Sequence, residues 1–434
     1  MALQTQPYKG ARDFYPEDKR LQKYIFGKLR ETVERFGYEE YDAPILEPLD
    51  LYLAKTGEEI VNEQTYTFED RGGRKVAIRP EMTPTVSRMV AGRRQELAYP
   101  LRWYSIPNLW RYERPQRGRL REHWQLNVDI FGVADTSAEF EIISVADAIY
   151  QSFGAKRDMY TIKLNSRKLV DFVLKDYLSL DEKAAQAIAK LIDRMHKMER
   201  SEFVTKADAI VSPEQKENGA TESLLNMLSI KKLADLPAEV KSNPSVNELQ
   251  IMLTRLTDVG IGNAEFDITL MRGFDYYTDV VFEIFDNNPE NNRSMMGGGR
   301  YDGLVGLFGV EPTPTVGFGL GDVTLQNFLE GHRLLPVLTT ETELWVAPVG
   351  NVQVSEIATE LRESGVNVAV GVGGKKLGDQ FKVAEKKGIL NVLIIGENEL
   401  AEAKFTLKNL QTGKENKHSL EQLIEVLKGG HQKG

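Results

Sequence analysis

With 434 residues, 41% hydrophobic and 27% charged, the chain has the composition of a water-facing globular protein of two or three domains. Cysteine is absent, which excludes disulfides, a thiolate metal site and a cysteine nucleophile, and no apolar run approaches the roughly 20 residues of a membrane helix. The formal net charge of -9 argues against a dedicated nucleic-acid coat but leaves room for a basic stripe on an acidic body.

The first residues, MALQTQPYKGARDF, carry neither the apolar segment of a secretory signal nor an Arg/Ser-rich transit pattern, so a cytoplasmic protein is expected. After Pro16, apolar Leu21, Ile25, Phe26, Leu29, Val33 and Phe36 recur at helical spacing, with Gly37 as the C-terminal cap. From there to about Gly132 the segments EYDAPILEPL, KVAIRP, YPLRWYSIPNLWRYE and HWQLNVDIFG predict strands and loops with intervening helix. In the last of these, Gln125, Asn127 and Asp129 share one face, while Leu126, Val128 and Ile130 point to the other.

From Asn165 to Val259 the text turns helical, with a capping-box pattern at Ser179 and Glu182 ahead of DEKAAQAIAKLIDRMHKM. No candidate chemistry stands out in this stretch, which reads as a helical insertion. Strand-like and glycine-rich text returns in FDITLMRGFDYYTDVVFEIF, SMMGGGRYDGLVGLFG and TPTVGFGLGDVTLQNFLEG. Past a linker containing Pro336, LWVAPVG, a helix ending at Gly365, VNVAVGV, a helix through KLGDQFKVAEKKG, and NVLIIG alternate as an α/β domain with a largely parallel sheet. FTLKNLQTGKEN reads as a hairpin, and Ser419 with Gln422 caps the last helix.

Four clusters carry candidate chemistry. They are Arg79-Pro80-Glu81-Met82-Thr83; the run from Arg111 to Arg121 with Gln125 and Asp129 beyond it; Arg272-Gly273-Phe274-Asp275-Tyr276-Tyr277; and Gly297 to Gly303, continued by Gly317, Gly319 and Gly321. In the second, five arginines lie within eleven positions, and Pro115 and Gly118 force a turn. The planar guanidinium pairs with phosphate or carboxylate oxygens two at a time, so this hairpin suits a polyphosphate, an RNA backbone, or both. The glycines alone are ordinary text of turns and close-packed strands. No P-loop, no H-E-x-x-H and no G-x-S-x-G occurs, and the five histidines are scattered, which argues against a P-loop nucleotidase, a zinc enzyme and a nucleophile-elbow hydrolase; no protein metal site is expected.

KGARDFYP, RPEMTPT, RYERPQRGRLRE followed by QLNVDIFG, RGFDYY with VFE, and GGGRYDGL, in this order, resemble the signatures of class II histidyl-tRNA synthetases over nearly the whole chain. The resemblance implies an α+β fold: an antiparallel-sheet catalytic domain over 1–330, interrupted by a helical insertion domain over 165–259, then a linker over 331–342 and an α/β anticodon-binding domain over 343–434. It implies a histidine–tRNA ligase that converts histidine and ATP, with Mg²⁺, to histidyl-adenylate and pyrophosphate, then loads histidine onto the 3′ end of tRNA-His. YDAPILEPL, with Pro44, resembles the class II dimerisation motif, so a homodimer is implied.

By the same resemblance Arg111 and Arg272 are the catalytic pair flanking the α-phosphate and the histidine carboxylate. Glu113 would accept from the adenine amino group, Arg119 would hold the outer phosphates with Mg²⁺, and His123 would stack on adenine where the family usually has phenylalanine. Glu81, Thr83 and Gln125 would hold the α-ammonium group, with Met82 beside them in the histidine site. Asp129 would accept from one imidazole nitrogen, the Tyr277 hydroxyl would donate to the other, and Tyr276 would line the pocket. Arg114 and Gln116, at the loop tip, are candidates for the tRNA acceptor end. For Arg79 and Arg121 structural and functional roles stand level, and Lys375, Lys376 and Lys382 read either as RNA-facing or as a solvated helix face.

One position departs from the pattern. Thr324 stands where the family commonly has an arginine that clamps the γ-phosphate, so Arg119 or Arg300 is expected to supply that charge. Two further readings share the resemblance. The histidine-sensing regulatory subunit of ATP phosphoribosyltransferase normally lacks the C-terminal domain and erodes the RGFDYY and arginine-loop text, both intact here. A noncatalytic synthetase-derived RNA-binding module would bind tRNA without aminoacylation.

Overall fold

The computed structural model describes residues 3–53, 64–116, 118–271, 276–291, 293–372 and 374–429. They divide into two compact units, Met1–Asp13 with Tyr24–Leu335 and Phe14–Lys23 with Pro336–Gly434. Helix α1 (Pro16–Glu34) follows from its apolar spacing, with Ile25, Leu29 and Val33 buried. It stops at Gly37, whose φ of 82° lets its amide and that of Tyr38 turn back onto the last carbonyls. Then come β1 (Glu39–Glu40), β2 (Leu46–Pro48), α2 (Asp50–Leu53), β3 (Thr67–Glu69), β4 (Lys75–Ile78), α3 (Thr83–Arg93), β5 (Leu101–Ser105), β6 (Asn108–Trp110), β7 (Glu122–Phe131), α4 (Ser137–Ser152) and β8 (Tyr160–Ser166).

The helical excursion starts at Arg167, because Asn165 and Ser166 still pair with Val281 and Val280. It comprises α5 (Arg167–Phe172), α6 (Glu182–Asp193), α7 (Arg200–Ile210), α8 (Pro213–Glu217), α9 (Ala220–Leu228), α10 (Ala238–Lys241) and α11 (Pro244–Asp258). The cap of α6 differs from the expected one. Asp181, not Ser179, accepts the Ala184 amide at 2.8 Å; Ser179 has φ 53°, whereas an N-cap needs extended backbone such as that of Asp181.

The unit closes with β9 (Ala264–Phe266), β10 (Val280–Asp286), β11 (Ser294–Arg300), β12 (Thr315–Gly321) and α12 (Asp322–Gly331). Among the described residues nine strands form one sheet, in the order β1-β5-β7-β12-β11-β10-β8-β9 with β6 paired to β7. Its outer pairs β1–β5 and β8–β9 are parallel and its inner pairs antiparallel. Leu126, Val128 and Ile130 are buried behind it, where α4 and α12 each pack against β7 and β12. Phe328 of α12 meets Tyr150 edge-on at 5.2 Å and Tyr160 at 6.3 Å. That leaves the opposite face of the central strands for polar side chains.

In the second unit β13 (Leu344–Pro348), α13 (Ser355–Glu363), β14 (Val368–Val370), α14 (Leu377–Lys386), β15 (Asn391–Ile395), α15 (Glu397–Glu402), β16 (Phe405–Asn409), β17 (Glu415–His418) and α16 (Leu420–Gly429) build a sheet in the order β14-β13-β15-β16-β17. Three strands are parallel, as the strand–helix alternation requires, and the hairpin β16–β17 adds two antiparallel ones, so the sheet is mixed. Ser419 and Gln422 exchange the two bonds of a capping box, at 3.1 and 3.3 Å. None of the described helices is long and apolar enough to cross a membrane.

Phe328 is fully buried between aromatic neighbours on two elements. Phe328→Ala is expected to lower the stability of the first unit by about 3–5 kcal/mol, read from the midpoint of denaturant unfolding.

Candidate active site

The site begins with three polar side chains on one strand. Gln125, Asn127 and Asp129 of β7 face the same way, and β12 runs beside them with Gly321, Gly319 and Gly317 in register. A Cβ on Gly317 would stand 2.0 Å from Asp129 Oδ1, and one on Gly319 would stand 1.7 Å from Gln125 Nε2. Beyond β12, Gly297 and Gly299 of β11 pair with Gly319 and Gly317. Gly297, Gly299, Gly317, Gly319 and Gly321 are therefore close-packed strand glycines, and Gly303 alone of the named set stands in a turn. The strand glycines clear a floor across two strands so that the amide and carboxylate can lie on it.

Above this floor an inner cavity of about 380 Å³ is bounded by Glu81, Thr83, Arg111, Gln125, Asp129, Tyr276, Tyr277 and Tyr301 among others. Burial pushes the Asp129 carboxyl up to about 7, against the smaller opposing effect of the Tyr301 hydroxyl that donates to it. Tyr276 donates to Glu81 at 3.3 Å, so it orients a carboxylate as well as lining the wall. Met82 lies one step back from the cavity wall. It precedes α3 with its side chain fully buried, and it does not border the cavity, whereas its neighbours Glu81 and Thr83 do.

A wider outer cavity, about 820 Å³ open to solvent, shares Arg111, Gln125, Gly297 and Gly319 with the inner one. Arg111 is set by its Nε donating to the Pro80 carbonyl at 2.8 Å, which ties the arginine loop to the RPEMT turn. Glu113 lies 4.0 Å from Arg111 and 3.4 Å from Arg119. His123 is held neutral, its pKa lowered to about 3 by burial, with the Arg111 and Arg12 charges adding to the effect. A neutral, flat ring beside a cationic rim can stack on a base without adding charge.

The hairpin tip is tight: Gln116 and Arg119 exchange backbone bonds of 3.0 and 2.9 Å around Gly118, whose φ is 77°. Arg114 and Gln116 are exposed there and border neither cavity. Arg272, with Gly273, Phe274 and Asp275, lies outside the described residues.

Three arginines left open by the sequence have structural positions. Arg79 is buried and donates to the carbonyls of Asn108 and Ala43 at 3.0 and 2.6 Å. Arg121 donates to the Glu113 carbonyl at 3.1 Å and lies 3.9 Å over the Tyr112 ring, bracing the base of the loop. Arg300 does not supply the charge missing at Thr324. It alternates with Gly299 and so points behind the sheet, where Glu139 takes its guanidinium at 2.6 and 2.8 Å. Thr324 borders the outer cavity, but its hydroxyl donates to the carbonyls of Met295 and Gly321, both at 2.9 Å. Arg119, half-exposed at the rim, remains the cation nearest to that role.

Two partners were missed. Tyr301 lies inside the quoted GGGRYDGL text, but nothing in its spacing ties it to Asp129, 172 positions away. Arg12, in KGARDFYP, donates to Asp322 at 2.6 Å, and Asp322 in turn accepts the Trp124 amide at 3.0 Å, joining the N-terminal segment, α12 and β7. Among the described residues no group of three His, Cys, Asp or Glu side chains is placed to hold a metal ion.

Gly319→Ala meets only the far end of a flexible side chain, so the sheet is expected to survive while Gln125 swings out of the cavity. A crystal structure of the variant is then expected to show Gln125 displaced from the inner cavity, with little change in melting temperature in a thermal scan.

Comparison with known proteins agrees with this geometry. The family model described as histidyl-tRNA synthetase matches residues 10–323, and that of an anticodon binding domain matches 343–429. The histidine–tRNA ligase of Leptospira biflexa is 43% identical over 430 residues, 98% of either chain. That of Haloarcula marismortui is 38% identical over 411 residues, 94% of either chain. A crystal structure of histidyl-tRNA synthetase from Nostoc sp. PCC 7120 shares the fold, with a TM-score of 0.81 at 24% identity over 98% of this chain and 99% of that one. On these matches the chain belongs to the histidyl-tRNA synthetase family.

Proposed function

We propose that the chain is a histidine–tRNA ligase: it condenses histidine with ATP to histidyl-adenylate and pyrophosphate, then transfers histidine to the 3′ end of tRNA-His. The observation that carries the reading is the pair of cavities joined at Arg111, one lined by Glu81, Gln125, Asp129 and tyrosine hydroxyls, the other rimmed by arginine. In the first step a histidine carboxylate oxygen attacks the α-phosphorus and pyrophosphate leaves, so negative charge gathers where the two substrates meet. A guanidinium already held at that junction needs no reorganisation to stabilise it. In the second step the terminal ribose hydroxyl attacks the histidyl carbonyl and AMP leaves.

Within this reading Asp129 accepts from one imidazole nitrogen and Tyr277 donates to the other, while Glu81, Thr83 and Gln125 hold the α-ammonium group. Such a site rejects amino acids lacking both ring functions, because buried polar groups would go unpaired. Arg272 completes the catalytic pair with Arg111 in this reading, and Glu113, Arg119 and His123 take the nucleotide. Mg²⁺ would enter with the outer phosphates beside Arg119, neutralising them and taking its ligands mainly from phosphate oxygens and water, since among the described residues the one carboxylate at the outer cavity, Glu113, is given to adenine. Arg114 and Gln116 meet the acceptor end.

The residues divide into a catalytic domain over 1–330 with the insertion starting at 167 rather than 165 and running to 259, a linker over 331–342 and an anticodon-binding domain over 343–434. The active species is a cytoplasmic homodimer joined near Pro44. The regulatory-subunit and noncatalytic readings have less support, since the highly similar relatives are ligases along their full length, and the C-terminal domain further disfavours the regulatory subunit but not the RNA-binding module.

Charging of purified tRNA-His with labelled histidine tests the activity, and absence of charging above background would sink it. Because the Asp129 pKa is raised to about 7, the empty site holds the proton below that pH and releases it above. The bare carboxylate accepts an imidazole N–H more strongly than the protonated carboxyl does. The KM for histidine in ATP–pyrophosphate exchange is therefore expected to fall as pH rises through about 7. Asp129→Asn is expected to raise that KM on the order of 100-fold and to flatten its pH dependence.

A further inference from the structure

We propose that Arg300, locked behind the sheet by Glu139, is a positioning residue for the histidine pocket, holding Tyr301 where its hydroxyl meets Asp129. The inference rests on the histidine-ligase reading of that cavity.

Arg300 is almost fully buried, and its guanidinium is saturated. Nε and Nη2 take both Glu139 oxygens at 2.6 and 2.8 Å, Nη1 and Nη2 take the carbonyls of Val133 and Asp135, each at 3.0 Å, and Nη1 reaches Asp302 at 3.4 Å. These partners follow the elements that make the pocket. Val133 and Asp135 lie in the turn leaving β7, the strand that carries Asp129, and Glu139 is in the first turn of α4 beneath it. Asp302 accepts the Thr315 amide at 3.0 Å, which starts β12 and its glycine floor.

The backbone of the same residue serves the other wall. The Arg300 carbonyl accepts the Thr278 amide at 2.8 Å, directly after Tyr276 and Tyr277. Tyr301, the next residue, donates its amide to the Thr315 carbonyl at 2.8 Å and its hydroxyl to Asp129. One side chain therefore fixes the end of β11 against β7, α4 and β12 at the point where Tyr301 crosses to the cavity. A buried ion pair as such is poor support for stability, since apolar replacements of like volume are often tolerated. Its placement one residue from the contact to Asp129 gives it a different consequence, namely control of where the imidazole acceptor sits.

The test separates positioning from folding by comparing substrates in histidine-dependent ATP–pyrophosphate exchange. Arg300→Lys keeps the charge but cannot serve four acceptors in a plane. It is expected to raise the KM for histidine on the order of tenfold while the KM for ATP stays within about twofold. Glu139→Gln, which keeps the shape and loses the charge, is expected to shift histidine KM in the same direction by less and serves if the lysine variant does not fold. The double variant Arg300→Met with Glu139→Leu is expected to regain melting temperature without regaining histidine KM. A folded variant with unchanged histidine KM, equal effects on both substrates, or recovery of histidine KM in the apolar double variant would overturn the proposal. Absence of exchange in the unaltered protein would instead sink the ligase reading beneath it.

Discussion

An amide and a carboxylate can lie flat across a neighbouring strand only where that strand has no side chains. This constraint governs the site. Gln125 and Asp129 occupy the volumes that a Cβ on Gly319 and Gly317 would take, and the sheet is antiparallel and in register at those pairs. The apolar half of β7 is buried behind the sheet, so the strand cannot slip by one residue without exchanging its polar and apolar faces. Core packing on one face thus sets the register that aims the chemistry on the other.

The electrostatics follow from that burial. Asp129 sits deep, without a cation among the groups that shift it, and holds its proton to about 7. His123 is pushed the other way, to about 3, because burial and nearby guanidinium groups disfavour a second positive charge. Between these neutral-leaning groups Arg111 keeps its permanent charge at the junction of the cavities. A deep pocket holding a carboxylate that titrates near neutrality therefore lies directly beside an arginine-rimmed cavity.

Much of the fold could be read along the chain. The 125/127/129 alternation, the Gly37 cap, the C-terminal hairpin and the Ser419–Gln422 box all depend on neighbours within a few residues. What escaped depends on long-range packing. Ser179 suited a cap by residue type, but its left-handed backbone placed that duty on Asp181. Met82 lay within the RPEMT text, yet only its neighbours border the cavity. Arg300 read as spare positive charge because strand alternation, which sends it behind the sheet, counts only once the registers of β11 and β12 are known. The value of Gly317 and Gly319 was hidden for the same reason: it lies in what stands on the next strand.

Arg111 borders both cavities, and in the proposed reading it joins an imidazole pocket to a phosphate site. The most direct measurement is a crystal structure with a non-hydrolysable histidyl-adenylate analogue. The account expects the imidazole within hydrogen-bond distance of Asp129 and the phosphate mimic on the Arg111 guanidinium. An imidazole bound elsewhere, or a phosphate mimic turned away from Arg111, would contradict it.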